Sequence, residues 1–513
     1  MNFLDALKQE YANIAYTENN ARAYKTTGNV LLDLFSRMNA SRSFLKKGEA
    51  GEKYLADDVV NLCLLSFDES PILTLQAIIY SRDILKGQGE RDVSRQMLIN
   101  LINSRFEGKI ELFKRTLLAF KELGRFDDLV YIYMGIKNYL IKDFIIKIIK
   151  EQLEADTATM QKAQSISLLA KWLPSENTSS KITKEAAKAI RKALNLKSIE
   201  YRKILTKLRA YIKIIENNLR TKDYTFKYDN VPSKAMMKYK KAFERNDLTR
   251  FKDYIDSLSK GESKVNVKTL SPANIIHQLN NASESEVKLF DAQWKQMLEN
   301  FECLNGIDAI VAADVSGSMR GGGNEQPIDV SVGLAMFFAY KNTGKYKGHF
   351  IDFCGDSRIH KLDLTKDLKY NYELVANSSR DMNTNIDSVF KALLDSAVNY
   401  KISQKDLPKY IIIVSDMEFD YCGRNKNEVN FKSWKEQFEK NGYKLPIIVF
   451  WNVANRNNIS STKKNDSVIM LSGRSQNGFK MLDIVEKYGI IQQEQLAIQV
   501  MIDTLKEYEK YFE

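Results

Sequence analysis

The 513-residue sequence contains few of the residues from which several common functional sites are built. Its four cysteines are scattered without a CxxC pair, which argues against structural zinc and against a disulfide framework. Only three histidines are present, and they leave little material for histidine-based catalysis. No apolar run reaches the roughly 18 residues of a membrane span, and the first residues lack the layout of a signal peptide. We therefore expect a cytoplasmic protein without a membrane segment.

Proline is also scarce, with four of the seven prolines in the first 300 residues. Between residues 29 and about 216, apolar residues recur three and four positions apart, as they do on one face of an α-helix. Roughly ten helices separated by short polar turns fit this pattern. So many consecutive helices indicate stacked antiparallel pairs, and we predict an all-α, HEAT-like helical repeat over residues 1–300. No obvious sequence repeat of fixed period accompanies it.

Positive charge is concentrated in the same part of the chain. Residues 301–513 contain 27 Lys and Arg against 28 Asp and Glu, a net charge of −1. Since the whole chain carries +12, residues 1–300 carry +13. A polyanion such as nucleic acid would therefore bind to the N-terminal part. Lysine-rich, AT-biased coding is an alternative source of this basicity.

After residue 301 the pattern changes to short, continuous apolar runs of strand length. These runs are residues 307–313, 349–354, 410–414, 445–451 and 468–471. Helical stretches lie between most of them, at residues 328–340, 386–400, 431–440 and 478–488. Buried strands that alternate with helices are typical of a parallel sheet. We predict a doubly wound, Rossmann-like α/β domain over residues 301–513, with ligands beyond the carboxyl ends of the strands.

Oxygen-bearing side chains follow two of these runs. Asp314, Ser316 and Ser318 leave the first run as a DxSxS motif. In an extended turn alternate residues point the same way, so one carboxylate and two hydroxyls converge. Thr384 opens a helical stretch, and Asp416 follows the run 410–414. All five are hard oxygen ligands, which suit Mg²⁺ (or Mn²⁺ or Ca²⁺) and leave one coordination position open.

These five positions, in this order, are similar to the metal-ion-dependent adhesion site of von Willebrand factor A (vWA) domains. The resemblance implies that the C-terminal domain is a vWA domain with a bound divalent cation. The open position on the cation would suit an Asp or Glu from a protein partner. A metal-free vWA domain is the alternative, although all five ligand positions are intact in this sequence.

The order of the two parts resembles the Ro autoantigen (TROVE) family, and especially viral and bacterial relatives with the same layout, once grouped as a domain of unknown function. Matching segments run along nearly the whole chain. In the helical part they are residues 16–19, 25–29, 82–83, 87–91, 124–128, 170–174, 201–203 and 231–233. In the vWA-like part they are residues 415–420, 450–452 and 471–473. The most specific are GQGER at 87–91 and GRFDD at 124–128.

In Ro proteins the helical repeats form a ring closed by the vWA domain, and the ring binds small structured RNAs and the ends of misfolded RNAs. The resemblance therefore implies a ring-like helical domain that binds small non-coding or misfolded RNA. The basic charge of residues 1–300 agrees with this expectation. We also expect the protein to be a monomer.

A basic surface after residue 170 is the best candidate for the RNA contacts. The candidate residues are Lys171, Lys181, Lys184, Lys188, Arg191, Lys192, Arg202 and Lys203. Those between 181 and 191 are three and four residues apart and share one side of a helix that begins near Ser180. Ala186, Ile190 and Leu194 occupy a different, inward face. The alternative is a solvated helix face without a ligand.

A second set of charged residues alternates in sign and flanks glycines. Its members are Arg82, Asp83, Glu90, Arg91, Arg125, Asp127 and Asp128. We expect these side chains to form ion pairs between helices and helix caps, and contact with RNA is the alternative reading.

Together these patterns favour a non-enzymatic, Ro-like RNA-binding protein whose metal site recruits a protein partner. A protein-interaction scaffold with no role in RNA binding is the first alternative. The second is a metal-dependent phosphodiesterase that uses Asp314 and Asp416. It is disfavoured because no histidine lies beside these motifs to act as a general base.

Overall fold

The computed structural model describes residues 11–39, 41, 43–48, 53–212, 214–302, 307–320, 326–378, 384–420, 431–454, 459, 468–488 and 496–513. The chain divides into two compact units, each built from two separate segments. We call Met1–Glu49 with Lys252–Lys506 the sheet unit. We call Ala50–Phe251 with Glu507–Glu513 the helical unit.

The first secondary-structure elements belong to the sheet unit. They are strands β1 (Ile14–Tyr16) and β2 (Arg22–Tyr24), helix α1 (Val30–Phe35) and strand β3 (Leu45–Lys47). β1 and β2 pair antiparallel. The side chain of Asn29 caps α1 by accepting a hydrogen bond from the backbone N–H of Leu32 at 2.8 Å. A short antiparallel hairpin followed by one capped helical turn therefore begins the described chain.

The helical unit follows, beginning with strand β4 (Lys53–Leu55). Its helices are α2 (Asp57–Glu69), α3 (Pro71–Arg82), α4 (Arg91–Ser104), α5 (Ile110–Leu123), α6 (Phe126–Gly135), α7 (Tyr139–Gln161), α8 (Leu169–Trp172), α9 (Lys181–Ala193), α10 (Ser198–Tyr211), α11 (Ile215–Thr221) and α12 (Ser233–Asn246). From α2 to α8, each helix packs against the helix two positions along the chain, and most also pack against the next one. The helices predicted for this part of the chain are present.

The apolar periodicity explains why these helices pack. In α5, Phe113, Leu117 and Phe120 lie four and three residues apart and are fully buried. Burying each such side chain stabilises the fold by about 2–3 kcal/mol. Pro71 starts α3 at a position where the missing N–H costs nothing, and Ser180 caps α9.

The predicted ion pairs between helices are confirmed around Asp128, which is fully buried at the start of α6. Its carboxylate accepts hydrogen bonds from Arg82 Nε on α3 at 2.8 Å and from Arg95 Nε on α4 at 2.6 Å. It also accepts from the backbone N–H of Arg125 at 2.7 Å. At Gly124 an added Cβ would lie 2.4 Å from Asp128 Oδ2, so the site requires glycine. The GRFDD segment therefore ties three helices together.

The remaining elements belong mainly to the sheet unit. The helices are α13 (Leu248–Lys260), α14 (Pro272–Leu279), α15 (Glu284–Asn300), α16 (Pro327–Lys341), α17 (Leu368–Ala376), α18 (Ile386–Asn399), α19 (Phe431–Lys440), α20 (Lys480–Tyr488) and α21 (Leu496–Leu505). The strands are β5 (Ala309–Ala313), β6 (His349–Asp352), β7 (Ile359–Lys361), β8 (Tyr410–Ser415), β9 (Ile447–Asn452) and β10 (Val468–Ser472).

These six strands form one sheet in the order β10-β9-β8-β5-β6-β7. Pairing is parallel from β10 to β6, and β7 runs antiparallel to β6 at the edge. β5, β8, β9 and β10 are buried along their whole length, as the continuous apolar runs predicted. Ala313 lies opposite Val414, so β5 and β8 end side by side. The C-terminal half is thus a mixed α/β fold with a mostly parallel sheet.

Contacts group residues 1–49 and 252–300 with this sheet, although the sequence pattern changes only at residue 301. Ser472, at the end of β10, donates its hydroxyl to the carbonyl of Phe35 at 2.7 Å. α14 packs against α16, where an added Cβ at Gly333 would lie 3.0 Å from the backbone of Ala273. Among the described residues, no helix combines the length and apolar character needed to cross a membrane.

Candidate functional site: a two-aspartate cation site and a basic helix face

Asp314 follows β5 directly and is fully buried. Its Oδ1 accepts a hydrogen bond from the backbone N–H of Ser316 at 2.9 Å. Its Oδ2 accepts from the hydroxyl of Ser415, the last residue of the adjacent strand β8, at 2.6 Å. The carboxylate is therefore held between the ends of the two central strands.

The two serines of the DxSxS motif lie together. Ser316 Oγ and Ser318 Oγ are 3.1 Å apart, across a short 3₁₀ turn at Gly317–Met319. Ser316 is buried, whereas Ser318 is exposed. The motif thus leads from the buried Asp314 carboxylate to the protein surface, and its hydroxyls converge as the spacing predicted.

Asp416 follows β8 and is buried beside Asp314. Its Oδ1 accepts a hydrogen bond from the backbone N–H of Glu418 at 3.2 Å. Met417 between them has a φ of +66°, in the left-handed region, which turns the chain sharply after the strand. Burial, together with repulsion from Asp416, raises the pKa of Asp314 to about 7. Two buried carboxylates in this arrangement favour a bound positive charge.

Thr384 lies just before α18, whose N-cap is Asn385. Its Oγ1 donates to the carbonyl of Glu418 at 2.9 Å, and its backbone N–H donates to the carboxylate of Asp420. The N–H of Asp420 donates back to the Thr384 carbonyl at 3.0 Å. Thr384 is therefore tied to the loop that carries Asp416.

The donor set fits a hard divalent cation. Two carboxylates, from Asp314 and Asp416, and three hydroxyls, from Ser316, Ser318 and Thr384, would hold it. A hydroxyl that donates its hydrogen, as Thr384 does, keeps oxygen lone pairs for a metal. In the described parts of the chain, no three His, Cys, Asp or Glu side chains form a metal-binding group. The candidate site has only two such side chains, Asp314 and Asp416, and its other ligands would be hydroxyls.

Sequence reasoning did not foresee that the N-terminal segment contacts the loop after β8. Thr17 Oγ1 donates to the carbonyl of Phe419 at 2.7 Å. The backbone N–H of Glu18 donates to Glu418 Oε2 at 2.7 Å, and Asn19 Nδ2 donates to the Glu418 carbonyl at 3.0 Å. These residues are about 400 positions apart in sequence, so no local pattern reports the contact. We call residues 17–20 the N-terminal brace.

The predicted basic helix face is α9, in the helical unit. Lys181, Lys184, Lys188 and Lys192 are all exposed on it. Ala186, Ile190 and Leu194 are buried, as predicted. Arg191 differs from the lysines because it is half-buried: its Nε donates to Glu176 at 2.8 Å and its Nη1 to the Leu196 carbonyl at 2.8 Å. The exposed cations of α9 are therefore four lysines.

The other candidate cations lie on α8 and α10. Arg202 and Lys203 are exposed on α10. Lys171 on α8 is partly buried, and its ammonium lies 3.4 Å from Glu216. Arg209 of α10 donates to the carbonyls of Ala170 and Leu173, which fixes α8 against α10. Of these three cations, Lys171 is thus the one that lies within 4 Å of a carboxylate among the described residues.

Comparison with known proteins gives matches along most of the chain. Residues 308–510 match a family model described as a domain of unknown function (DUF7788), and residues 139–304 match a second such model (DUF2828). The chain is also similar to an uncharacterized protein of Acanthamoeba polyphaga mimivirus, at 28% identity over 514 residues. That alignment covers 93% of this chain and 86% of the viral protein. The similarity to the viral protein therefore extends through both the helical and the sheet unit.

Proposed function

We propose that this chain is a non-enzymatic RNA-binding protein, in which the helical unit binds RNA and the sheet unit holds a divalent cation. In this proposal the helical unit is a HEAT-like repeat and the sheet unit contains a vWA domain. The partner is small non-coding or misfolded RNA, bound by a cytoplasmic monomer. The observation that carries the proposal is the row of exposed lysines on α9.

The geometry of α9 suits a phosphate backbone. Lys181, Lys184 and Lys188 span about 10 Å along the helix axis, at 1.5 Å per residue. They share one side of a helix whose opposite side is packed into the core. Binding therefore requires no rearrangement of the backbone, and the contacts go to phosphates rather than to base edges. Sequence preference should accordingly be slight.

The cation site supports a second part of the proposal. Asp314, Asp416, Ser316, Ser318 and Thr384 would hold Mg²⁺, Mn²⁺ or Ca²⁺ at the carboxyl ends of the two central strands. Ser318 is exposed, so this side of the site is open to a ligand from outside. A carboxylate from a protein partner is the ligand that fits a cation with an open coordination position.

A phosphodiesterase would need a general base beside the cation. His277 pairs with Asp329 at 2.8 Å, and His349 with the Lys347 carbonyl at 2.9 Å. His360 lies 3.0 Å from Asp352, which ends β6 beside β5. None of these partners is one of the five proposed ligands, and we therefore favour binding over catalysis.

The test is a double charge reversal on α9, Lys184→Glu with Lys188→Glu. Loss of phosphate contacts and new repulsion should weaken binding of a single-stranded RNA by at least about tenfold at fixed salt. The matched control is Lys147→Glu with Lys150→Glu on α7, which makes the same change in charge at two other exposed lysines of the helical unit.

Filter binding would compare the three proteins at one salt concentration. The control should lose no more than about threefold, through the change in overall charge. Equal losses in both variants would show that α9 has no special role. Wild-type binding in the double reversal would leave the scaffold interpretation as the better one.

A further inference from the structure

Trp172, at the end of α8, differs from the other described tryptophans. Trp294, Trp434 and Trp451 are buried, whereas Trp172 is partly exposed. Two cations lie against its ring. The guanidinium carbon of Arg125 is 5.1 Å from the ring centroid, and the ammonium of Lys171 is 5.6 Å from it. An accessible aromatic ring is thus flanked by two positive charges.

Arg125 is set apart from the neighbouring arginines by its partners. Arg82 and Arg95 bind Asp128, and Arg91 lies 3.5 Å from Asp92. Among the described residues, the Arg125 guanidinium has no ion pair within 4 Å, and it packs on the Trp172 ring. Asp127 attracts Arg125 but is already bound by Arg95 Nη2 at 2.7 Å.

This leaves a positive charge that no carboxylate of the described residues contacts directly. Arg125 is partly buried, and burial, together with repulsion from Arg82 and Arg91, lowers its pKa against the attraction of Asp127 and Asp128. Arginine nevertheless stays charged at neutral pH, so it cannot relieve the cost by losing its proton. Contact with an aromatic ring offsets only part of the free energy that the guanidinium loses when it leaves water. An anion that reaches Arg125 from solvent would supply the rest.

We propose that Arg125, Lys171 and Trp172 form a binding site for one phosphate of single-stranded RNA, with a neighbouring base against the Trp172 ring. The proposal rests on the RNA-binding function proposed above and names a second point of contact. The planar guanidinium can bind a phosphate through two hydrogen bonds. A base can stack on an accessible aromatic ring whatever its identity, because every base has a flat π-face. α8 packs against α10, which carries Arg202 and Lys203, so the site lies beside the basic helices.

A phosphate group alone could also bind two cations, as in polyphosphate or a phosphopeptide. The partly exposed ring favours RNA because only a nucleic acid places a flat base next to each phosphate. Lys171 can turn from Glu216 to a phosphate at little cost, since that ion pair is partly exposed and long at 3.4 Å.

The experiment measures anisotropy of a labelled single-stranded RNA and tryptophan emission with full-length protein. Arg125→Gln should weaken RNA binding by at least about fivefold. Arg105→Gln is the matched control, since Arg105 is an exposed arginine of the same unit that is paired with Asp68, and it should change binding by less than about twofold. Trp172→Phe should abolish the RNA-induced change in tryptophan emission, because the other described tryptophans are buried.

Thermal melts of each variant would establish that it is folded, and Trp172→Phe keeps the test decisive if Arg125→Gln does not fold. If wild type binds RNA but Arg125→Gln and Trp172→Phe match Arg105→Gln, this site is refuted and the RNA-binding function remains. If wild type binds no RNA, both proposals fail. If inorganic polyphosphate produces the same change in Trp172 emission as RNA, base stacking is refuted and the site binds phosphate alone.

Discussion

Replacing Asp314 by Asn should stabilise the metal-free protein, although the residue is a proposed metal ligand. Burial, with repulsion from Asp416, raises the pKa of Asp314 from 3.8 to about 7. Because the pKa is higher in the folded state than in the unfolded state, ionisation opposes folding. The free energy of unfolding therefore falls as the pH rises from about 4 to about 7. Above about pH 7 the free energy of unfolding has lost the full contribution of protonated Asp314.

The size of this effect follows from the pKa. One pKa unit corresponds to about 1.4 kcal/mol, so ionised Asp314 costs the folded state about 4 kcal/mol. Asn keeps an oxygen for the Ser316 N–H but gives up the acceptor for the Ser415 hydroxyl, at a cost of about 1 kcal/mol. The expected net gain for Asp314→Asn near pH 8 is about 2–3 kcal/mol, or on the order of 5 °C in Tm.

The assay is thermal unfolding followed by circular dichroism, in EDTA and in millimolar Mg²⁺. In EDTA at about pH 8, Asp314→Asn should melt above wild type, and the difference should shrink at about pH 5, where wild-type Asp314 is protonated. Mg²⁺ should raise the Tm of wild type and leave that of Asp314→Asn unchanged. Asp363→Asn, at a partly exposed aspartate of the same unit, is the control and should respond to Mg²⁺ as wild type does. If Asp314→Asn melts below wild type in EDTA at about pH 8, burial of the Asp314 carboxylate does not oppose folding. If Mg²⁺ raises its Tm as much as that of wild type, Asp314 is not a metal ligand.

Three further predictions follow from single contacts. Thr17→Val removes the hydrogen bond from the Thr17 hydroxyl to the Phe419 carbonyl, and should cost about 1–2 kcal/mol of stability. It should also weaken Mg²⁺ binding severalfold in calorimetry, and unchanged affinity would show that the N-terminal brace does not support the cation site. Gly124→Ala places a Cβ 2.4 Å from Asp128 Oδ2 and should lower the free energy of unfolding by about 2–4 kcal/mol in urea melts. An unchanged free energy of unfolding would contradict the close packing of Gly124 against Asp128. Tyr508→Ala removes a buried ring that contacts Tyr80, and a hydroxyl that donates to Asp83 at 3.1 Å. It should lower the free energy of unfolding by about 3–5 kcal/mol in the same melts, and a loss below about 1 kcal/mol would count against docking of the C-terminal segment.

Much of the sheet unit could be predicted because its strands are buried on both faces and read as unbroken apolar runs. The run 410–414 corresponds to β8 (Tyr410–Ser415), and the stretch 386–400 to α18 (Ile386–Asn399). The edge strand β7 (Ile359–Lys361) is short and partly exposed, so it has no such signal. Local periodicity therefore reveals buried elements and misses short ones at an edge.

The candidate sites divide in the same way. The spacing of DxSxS brings Asp314, Ser316 and Ser318 together because they are close in sequence. The N-terminal brace could not be foreseen, because Thr17 and Phe419 meet only in the folded chain. Arg191 has the right spacing for the basic face, but its pairing with Glu176 depends on where a preceding loop lies. Helical spacing predicts which way a side chain points, and the partner that it meets there is a tertiary property.

Binding of RNA by the helical unit, through the basic surface of α8, α9 and α10, is tested most directly by ultraviolet crosslinking. RNA bound to the full-length protein would be crosslinked, and the crosslinked peptides identified by mass spectrometry. We expect crosslinks in peptides that contain residues 171–203, and their loss in the Lys184→Glu, Lys188→Glu variant. Crosslinks confined to residues 307–488 of the sheet unit would contradict it.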